Sequence, residues 1–259
     1  MLRIMATKKS QYLFFGKTLF FPDLGILTIG DLHLGFEYML RQSGVFAPEI
    51  QVKEIKEELT LIFSQIKEKG FKIKKIVFIG DIKHSFSYSK QEKNYFKEIY
   101  LFLQDFINKE KIILIKGNHD TIDYSFGDLL KDYFIEKEIV FIHGHKMIEE
   151  AFDKKVKTVV MGHLHPSVLI SDTMGIKKEK YKCFLIGKFK SKEVIILPSF
   201  LNIIEGTNVN ESQEEYEDYF SIIPKKSLMN FKIYPIGEEI YSFGKVKDLY
   251  KVDHKKNTI

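Results

Sequence analysis

The chain has 259 residues, 44% of them hydrophobic, and its 40 basic and 35 acidic residues give a formal net charge of +5. These values are typical of a globular protein, and the length suffices for a buried core. No apolar run approaches the roughly 20 residues that cross a bilayer, and residues 1–10 lack the apolar centre of a secretory signal. Because the only cysteine, Cys183, also excludes an intramolecular disulfide, we expect a cytoplasmic protein without membrane attachment.

Basic residues are spread along the whole chain, and almost all of them are lysine. Such a charge assists the approach of an anionic substrate but does not identify nucleic acid. Arg3 and Arg41 are the only arginines, so two-pronged arginine contacts to phosphate are scarce. A substrate phosphate would therefore be held by metals, histidines or lysines.

Short apolar strands alternate with amphipathic helices along the first half of the chain. In chain order, the pattern predicts a hairpin of strands 13–15 and 19–21, a strand at 25–29, a helix from 48 to 70, a strand at 75–79, a helix at about 90–108 and a strand at 111–115. There follow a shorter helical piece, strands at 138–142 and 158–161, and antiparallel strands over 167–200 that turn near Met174-Gly175 and Gly187. The acidic stretch 210–219 is typical of an exposed loop or helix, and 231–252 contains two short strand-like runs around Gly237 and Gly244.

Five of the predicted strands end in a tight turn that carries Asp, Asn or His. The polar residues of these turns begin with Asp31, Asp81, Asn118, His143 and His163. Strands that alternate with helices indicate an α/β sheet, and ligands bind such sheets beyond the carboxyl ends of the strands. If the five strands are neighbours, their polar side chains meet at one rim.

Histidines concentrate around these turns, since seven of the eight lie between residues 33 and 165. Hydrogen-bonded turns or helix caps explain any one turn well, but they explain the complete ordered set poorly. Carboxylates, imidazoles and one amide oxygen, without thiolate, suit manganese or iron better than a structural zinc, and zinc stays open. The ligands are too many for one ion, so we expect two metals about 3.5–4 Å apart that share a carboxylate.

Five motifs follow one another in a fixed order, namely Asp31-x-His33, Gly80-Asp81-x-x-His84, Gly117-Asn118-His119-Asp120, His143-Gly144-His145 and Gly162-His163-x-His165. This set resembles the calcineurin-like metallophosphoesterase superfamily. Within it, Asp31-Leu-His-Leu-Gly35, Gly80-Asp-Ile-Lys-His84 and Leu197-Pro-Ser-Phe200 are similar to archaeal phosphoesterases related to the SbcD-type DNA repair nucleases. The resemblance covers roughly residues 12–210. It implies an α/β fold, a four-layer αββα sandwich with two mixed sheets face to face and helices outside.

The resemblance also implies seven metal ligands in two groups. The residues assigned to the first ion are Asp31, His33 and His165. The residues assigned to the second ion are Asn118, His143 and His163. Asp81 would bridge the two ions. His143 is preferred to His145 as a ligand because it directly follows its strand, which leaves His145 as a pocket residue.

Two further histidines are implied as catalytic residues. His119 would be the general acid for the leaving oxygen or would orient the phosphate, and imidazole suits either role because its pKa lies near neutral pH. His84 would be a second histidine that faces the phosphate, the alternative being a surface residue at a helix start. Asp120 would orient His119 or cap a helix.

The expected function is hydrolysis of a phosphate ester by in-line attack of metal-bound hydroxide, with Mn²⁺ favoured and iron, zinc and nickel open. The leading hypothesis is a phosphodiesterase that acts on nucleic acid ends or single strands. The alternatives are a phosphomonoesterase or nucleotide phosphatase with the same centre, and a non-catalytic binding scaffold. Intact ligand positions and Asn118-His119 argue against the scaffold. A metal-dependent peptidase or amidase lacks its His-Glu-x-x-His motif.

A single domain over residues 1–259 is expected, with a core at about 12–210 and a strand-containing extension at 211–259. The related repair nucleases carry a capping domain and an extension that docks a coiled-coil ATPase. About 50 residues follow Gly206, too few for both, so an ATPase partner is not expected and the substrate is not inherited. The oligomeric state stays open.

Overall fold

The computed structural model describes residues 11–121, 130–171, 177–203, 205–211 and 221–249, and its strands form two sheets. The first sheet has the order β1-β2-β3-β4-β5-β6, with β1 (Leu13–Phe15), β2 (Thr18–Phe21), β3 (Ile26–Ile29), β4 (Lys75–Phe78), β5 (Ile112–Ile115) and β6 (Leu130–Lys131). The second sheet consists of β7 (Tyr133–Glu136), β8 (Ile139–Ile142), β9 (Thr158–Met161), β10 (Pro166–Ser171), β11 (Lys178–Phe189), β12 (Lys192–Ile196), β13 (Thr207–Asn208) and β14 (Lys232–Pro235). Its order is β13-β10-β11-β12-β9-β8-β7, and β14 pairs with β11.

The first sheet contains parallel strands that are connected through helices. The helices α1 (Phe36–Gln42) and α2 (Gln51–Glu68) connect β3 to β4, and α3 (Lys90–Gln104) connects β4 to β5. Parallel strands need such crossovers, which here leave β3, β4 and β5 side by side and in register. In the second sheet, β8, β9 and β12 are parallel neighbours. Each sheet therefore presents several carboxyl ends at one edge.

Helix α2 illustrates how the sequence produces these elements. Its buried apolar residues recur at three- and four-residue spacing and face the first sheet; they are Ile55, Leu59, Ile62, Phe63 and Ile66. Gly70 follows the helix with a φ of 78°, a left-handed conformation that glycine adopts without a steric penalty. Burying one such aliphatic side chain contributes roughly 1.5–3 kcal/mol, so the whole face holds the helix on the sheet.

The two sheets pack face to face through apolar side chains. Buried residues at this interface include Phe21, Val77 and Ile115 from the first sheet and Phe141, Val160 and Ile195 from the second. Strands β3, β8 and β9 are buried along their whole length, so their sequences are mostly apolar, with one threonine each in β3 and β9, rather than alternating. This interface fixes the position of one set of strand ends relative to the other.

Helical layers cover the outer faces of both sheets. Helices α2 and α3 pack on the first sheet. Shorter segments pack on the second, among them α4 (Lys225–Leu228) and the 3-10 helix Glu149–Phe152. The predicted α/β architecture of two mixed sheets flanked by helices is confirmed. Among the described helices, none has the length and apolar character needed to cross a membrane.

Some predicted elements differ from the structure. Gly187 lies inside β11 rather than at a turn. A Cβ at this position would collide with the ring of Phe231, which explains why glycine stands there. The turn comes later, at Lys190 and Ser191, which have φ values of 46° and 66°. Helix α1 was not expected at all. The shorter helical piece was expected between the strands at 111–115 and 138–142, an interval that includes residues 122–129, which lie outside the described residues. In the described part of that interval, Leu130–Lys131 and Tyr133–Glu136 form β6 and β7.

The C-terminal extension contributes one strand to the second sheet. Strand β14 pairs with β11 in the register Cys183↔Pro235, and Lys245 forms an isolated bridge with Lys232. The predicted turn at Met174-Gly175 and most of the acidic stretch 210–219 lie outside the described residues. The single domain over 1–259 remains a prediction.

Candidate metal centre

Turns from both sheets meet at one rim. The first sheet provides Asp31, Asp81 and Asn118 after β3, β4 and β5, and the second provides His143 after β8 and His163 after β9. The Nε2 of His143 lies 3.0 Å from the Oδ1 of Asn118 and 3.4 Å from the Oδ2 of Asp81. The five turns therefore converge, and side chains from the two sheets are in contact.

Potential ligand atoms form three groups at this rim, of which two contain carboxylates and the third joins the imidazoles of His33, His84 and His119. Within each group, one atom per residue lies within 4.8 Å of all the others. The first group comprises Asp31, His33, Asp81 and His165, and the second comprises Asp81, His143 and His163. Asp81 belongs to both of these groups, and Asn118 adjoins the second through His143. All seven residues predicted as ligands are thus brought together, and their binding of metal remains a prediction.

The donor set of the first group fits a divalent cation. The Nε2 atoms of His33 and His165 lie 3.3 Å apart, and the Nε2 of His165 lies 3.1 Å from the Oδ1 of Asp31. The Oδ2 of Asp81 is 3.7 Å from the Nε2 of His33. Imidazole nitrogens and carboxylate oxygens that face one another, without sulfur, suit manganese, iron or zinc.

Burial shapes the charges of the centre. Asp31 is fully buried and Asp81 is 2% exposed. Burial by itself would raise their pKa values, but the neighbouring histidines outweigh it and hold the pKa of both carboxyls below the usual range. Burial also opposes protonation of His143, yet the two carboxylates raise its pKa to about 9. Burial and His165 lower the pKa of His33 to about 3. The centre thus holds buried negative charge that a cation would neutralise.

Four candidate ligands have a left-handed backbone. The φ values are 44° at His33, 45° at Asp81, 67° at His163 and 46° at His165. This conformation costs a non-glycine residue on the order of 1–3 kcal/mol and persists only where the surroundings enforce it. Hydrogen bonds do so here, from the amide of His33 to the carbonyl of Asp81 at 2.9 Å and from the amide of His163 to the Asp31 carboxylate at 3.2 Å. Backbone strain of this kind clusters at functional sites.

Two glycines of the motifs allow the backbone to approach the carboxylates. A Cβ at Gly117 would collide with Asp81, and a Cβ at Gly162 would collide with Asp31. Neither glycine has a positive φ. Their small size, rather than their conformational freedom, therefore explains why glycine stands at these two positions.

Asp120 ties two turns of the first sheet together. Its buried carboxylate accepts hydrogen bonds at 2.9–3.3 Å from the backbone amides of Gly117, Ile82 and Lys83. The expectation that it orients the ring of His119 is not met, because the Nδ1 of that ring contacts the carbonyl oxygen of His84 instead. Asp120 thus fixes the backbone that carries the candidate ligands.

His119 and His84 lie together beside the first group. The amide of His119 donates to the Oδ1 of Asp81 at 2.9 Å, and its Nε2 lies 3.9 Å from the Oδ2. The ring of His84 is 5.6 Å from that of His119, and its Nδ1 is 3.4 Å from the Nδ1 of His33. Burial and His119 lower the pKa of His84 to about 4. Both residues predicted as catalytic adjoin the centre, and their roles remain predictions.

His145 lies outside both ligand groups. Its ring is 5.2 Å from that of His143 between centroids. Its Nδ1 is buried and has no hydrogen-bond partner within the described part of the chain. Burial and His143 lower the pKa of His145 to about 4. This geometry supports His143, which directly follows β8, as the ligand of the pair.

Two residues that support the centre have no counterpart in the motifs. The ring of Phe86 lies 4.1 Å from the ring of His119. Lys17 donates to the carbonyl oxygen of Phe200 at 2.5 Å, and the amide of Phe200 donates to the carbonyl oxygen of Asp31 at 2.8 Å. An aromatic residue between two serines is only a weak indication in the sequence that Phe86 adjoins the centre. Nothing in the sequence indicates the role of Lys17.

The fold and the site define an α/β protein of two facing sheets with Asp, Asn and His side chains gathered at the carboxyl ends of its strands. The family model for the calcineurin-like phosphoesterases matches residues 24–183. Because this match spans more than half of the chain, the protein belongs to that family, and it is a metal-dependent phosphoester hydrolase. The resemblance inferred from the motifs is thereby confirmed.

A solved structure of another protein shares this fold. The chain is similar to the nuclease MPE of Pseudomonas putida, with a TM-score of 0.61 and 14% identity over 93% of this chain and 99% of that one. At this identity the likeness shows the fold alone. Zinc-bound Vps29 from Entamoeba histolytica gives a TM-score of 0.35 and 15% identity over 82% and 86%, too low to carry an argument. A search of curated proteins gave no match.

Proposed function

We propose that the protein is a phosphodiesterase that hydrolyses nucleic acid with two divalent metal ions, Mn²⁺ being favoured. The observation that carries this proposal is the position of Asp81, whose carboxylate belongs to both groups of candidate ligands. In two-metal phosphatases and nucleases the ions lie about 3.5–4 Å apart, so one carboxylate reaches both.

The remaining ligands divide between the two ions by proximity. The first ion would be held by Asp31, His33 and His165, and the second by Asn118, His143 and His163. When bound, the ions activate water and neutralise charge on the phosphoryl oxygens. The protein holds these ligands with little freedom, because the carboxylate of Asp31 also accepts the amide of His163.

His119 would protonate the leaving oxygen. Its Nδ1 contacts the carbonyl oxygen of His84, so that nitrogen carries the proton of the hydrogen bond. The Nε2 is then directed towards the carboxylate of Asp81 at 3.9 Å, on the side of the ligand groups. A protonated imidazole in this position can donate to an alkoxide as the phosphorus–oxygen bond breaks.

His84 would contact a non-bridging phosphoryl oxygen. Its ring lies beside those of His33 and His119, and Phe36 packs edge-on against it at 4.9 Å. Such packing fixes the imidazole without fully burying it. Imidazole contacts would supply part of the phosphate binding that arginine provides elsewhere, since the chain has only two arginines.

The preference for a diester of nucleic acid has two supports. The structure of similar fold from Pseudomonas putida is described as a nuclease. The second support is local, because an exposed aromatic ring, Phe86, adjoins His119. A phosphomonoesterase would use the same ligands, so only the substrate distinguishes the two activities.

A substrate panel tests the proposal. Purified protein is freed of metal, reloaded with Mn²⁺, and assayed on a simple diester, a simple monoester, single- and double-stranded DNA, and RNA, with chelator as the control. We expect the diester and single-stranded nucleic acid to be hydrolysed with manganese and not with chelator. Faster hydrolysis of the monoester would favour the phosphatase. Two bound ions without turnover of the diester or of any nucleic acid would overturn the proposal.

A further inference from the structure

Phe86 combines exposure with a fixed position beside the centre. The residue is 57% exposed, although its ring lies nearly parallel to that of His119, with centroids 4.1 Å apart and an angle of 27° between planes. A single exposed aromatic residue is ordinary on a protein surface. Phe86 differs because its ring packs against His119, the histidine proposed to protonate the leaving oxygen.

Hydrogen bonds fix the backbone around this ring. The carbonyl oxygen of Phe86 accepts from the Oγ1 of Thr121 at 2.6 Å, and the amide of Ser85 donates to the Oε1 of Glu92 at 2.8 Å. The amide of Ser87 donates to the Oγ of Ser85 at 3.2 Å. A ring that is held in advance loses little conformational entropy when a ligand packs on it.

We propose that Phe86 is a specificity-determining residue that stacks on the nucleobase of the leaving nucleoside, the one whose sugar carries the leaving oxygen. The inference rests on the proposed phosphodiesterase activity and refines its substrate class. A base is free to stack on an aromatic side chain only where it is unpaired or at a strand end, so the substrate would be single-stranded or frayed nucleic acid. Stacking tolerates any base, because every base has an aromatic face.

The competing role for Phe86 is to position His119. The side chain of His119 is 18% exposed, and the neighbouring ring covers part of it. In that case, loss of the ring would lower kcat on every substrate, whether or not the substrate carries a base. Stacking predicts instead a higher KM that is confined to substrates with a base next to the scissile phosphate.

The test compares thymidylyl-thymidine with two analogues in which the 5′ or the 3′ nucleoside lacks its base. For the wild-type protein with Mn²⁺, we expect one of the two analogues to have a kcat/KM lower by about 5- to 100-fold, the usual range for a base stacked on an aromatic ring. Phe86→Leu should erase this difference by raising KM for the intact dinucleotide, and Phe86→Trp should restore it.

Phe106→Leu is the matched control. Phe106 is also about half exposed, at 52%, but lies beyond the end of α3, where it adjoins the amino ends of the strands of the first sheet. This change should leave the kcat/KM ratio of the three substrates unaltered. Equal losses on all three substrates in Phe86→Leu would overturn the inference and leave the phosphodiesterase proposal intact. If wild-type protein hydrolyses no diester, both fail.

A second readout is independent of turnover. Single strands that contain 2-aminopurine are titrated with the protein in chelator, and the fluorescence of the base is followed. Stacking on Phe86 predicts quenching by wild type and Phe86→Trp that is lost in Phe86→Leu but kept in Phe106→Leu. Equal quenching by wild type and Phe86→Leu would contradict the inference.

Discussion

The two sheets contribute different chemistry to the same rim. The first sheet supplies both carboxylates, the amide and the two histidines proposed as catalytic, namely Asp31, Asp81, Asn118, His84 and His119. It also supplies one further candidate ligand, His33. The second sheet supplies only imidazoles, those of His143, His163 and His165. Negative charge and proposed proton transfer therefore lie on one side of the interface between the sheets.

The two sheets therefore differ in what a substitution removes from the centre. Substitution of a carboxylate or of His119 on the first sheet removes charge or a proton donor, so we expect it to reduce turnover even when metal is in excess. Changes on the second sheet remove neutral ligands, so we expect weaker metal binding that a higher metal concentration offsets. Substitutions at Asp81, His119 and His163 test this contrast.

Asp81→Asn should have the largest effect, because it removes charge from both ligand groups. The amide can keep the hydrogen bond from the His119 amide, which Asp81 accepts at 2.9 Å, so the fold should persist. Loss of one electrostatic contact at an active site typically costs about 10²–10³-fold, and we expect more than about 10³-fold in kcat/KM here. Mass spectrometric metal analysis should show fewer than two bound Mn²⁺ ions.

Asp23→Asn is the control for Asp81→Asn, since Asp23 is exposed and lines a cavity at the amino ends of the strands. Its activity and metal content should equal those of the wild type. Retention of two ions and wild-type turnover in Asp81→Asn would contradict a shared carboxylate.

His119→Ala should have the next largest effect, on turnover and not on metal. A general acid contributes about 10²–10⁴-fold, most of it where the leaving oxygen is poor. We therefore expect a loss of about 10²–10³-fold on a nucleoside leaving group and a much smaller loss on p-nitrophenolate, which needs no proton. Steady-state kinetics on the two diesters measures this difference. Equal losses would mean that His119 orients the phosphate instead.

Much of the fold could be predicted because local pattern and tertiary structure agree in it. The buried strands β3, β4 and β5 and the amphipathic helices α2 and α3 all appear near the expected residues. Helix α1 has only seven residues and no side-chain cap, so it has little local signal. The turn predicted near Gly187 was wrong for another reason, since this glycine allows close packing with Phe231 and does not form a turn.

The candidate ligands could also be predicted, because motif residues directly follow strands whose ends meet. Their supporting contacts could not. Lys17 donates to the carbonyl of Phe200, 183 positions away in the sequence, and no local periodicity predicts such a contact. The choice between His143 and His145 rested on strand position alone, and the ligand groups give it geometric support.

His163→Ala tests the second sheet. Even residues that only contact a ligand contribute about 10–100-fold to metal affinity, so loss of an imidazole ligand should weaken Mn²⁺ binding by about 100-fold. Activity should return as Mn²⁺ is raised, in contrast to Asp81→Asn. His145→Ala, the neighbouring control, should change the affinity by less than about tenfold. Titration of the metal-free proteins with Mn²⁺, followed by activity and calorimetry, measures the affinity of both variants. A larger loss of affinity in His145→Ala than in His163→Ala would indicate that His145, rather than His163, is a metal ligand.

Ser89→Ala should have the smallest effect on activity. It tests whether the helical layer contributes to catalysis as well as to the stability of the fold. Ser89 caps α3, and its Oγ accepts the amide of Glu92 at 3.3 Å. Loss of such a cap costs about 1 kcal/mol, which lowers Tm by about 2–4 °C in a protein of this size. Because the Glu92 carboxylate would still hold Ser85, kcat/KM should stay unchanged. Ser89→Asp, which can cap equally well, should restore Tm in a thermal melt. A tenfold loss of activity at unchanged Tm would instead extend the active site to the start of α3.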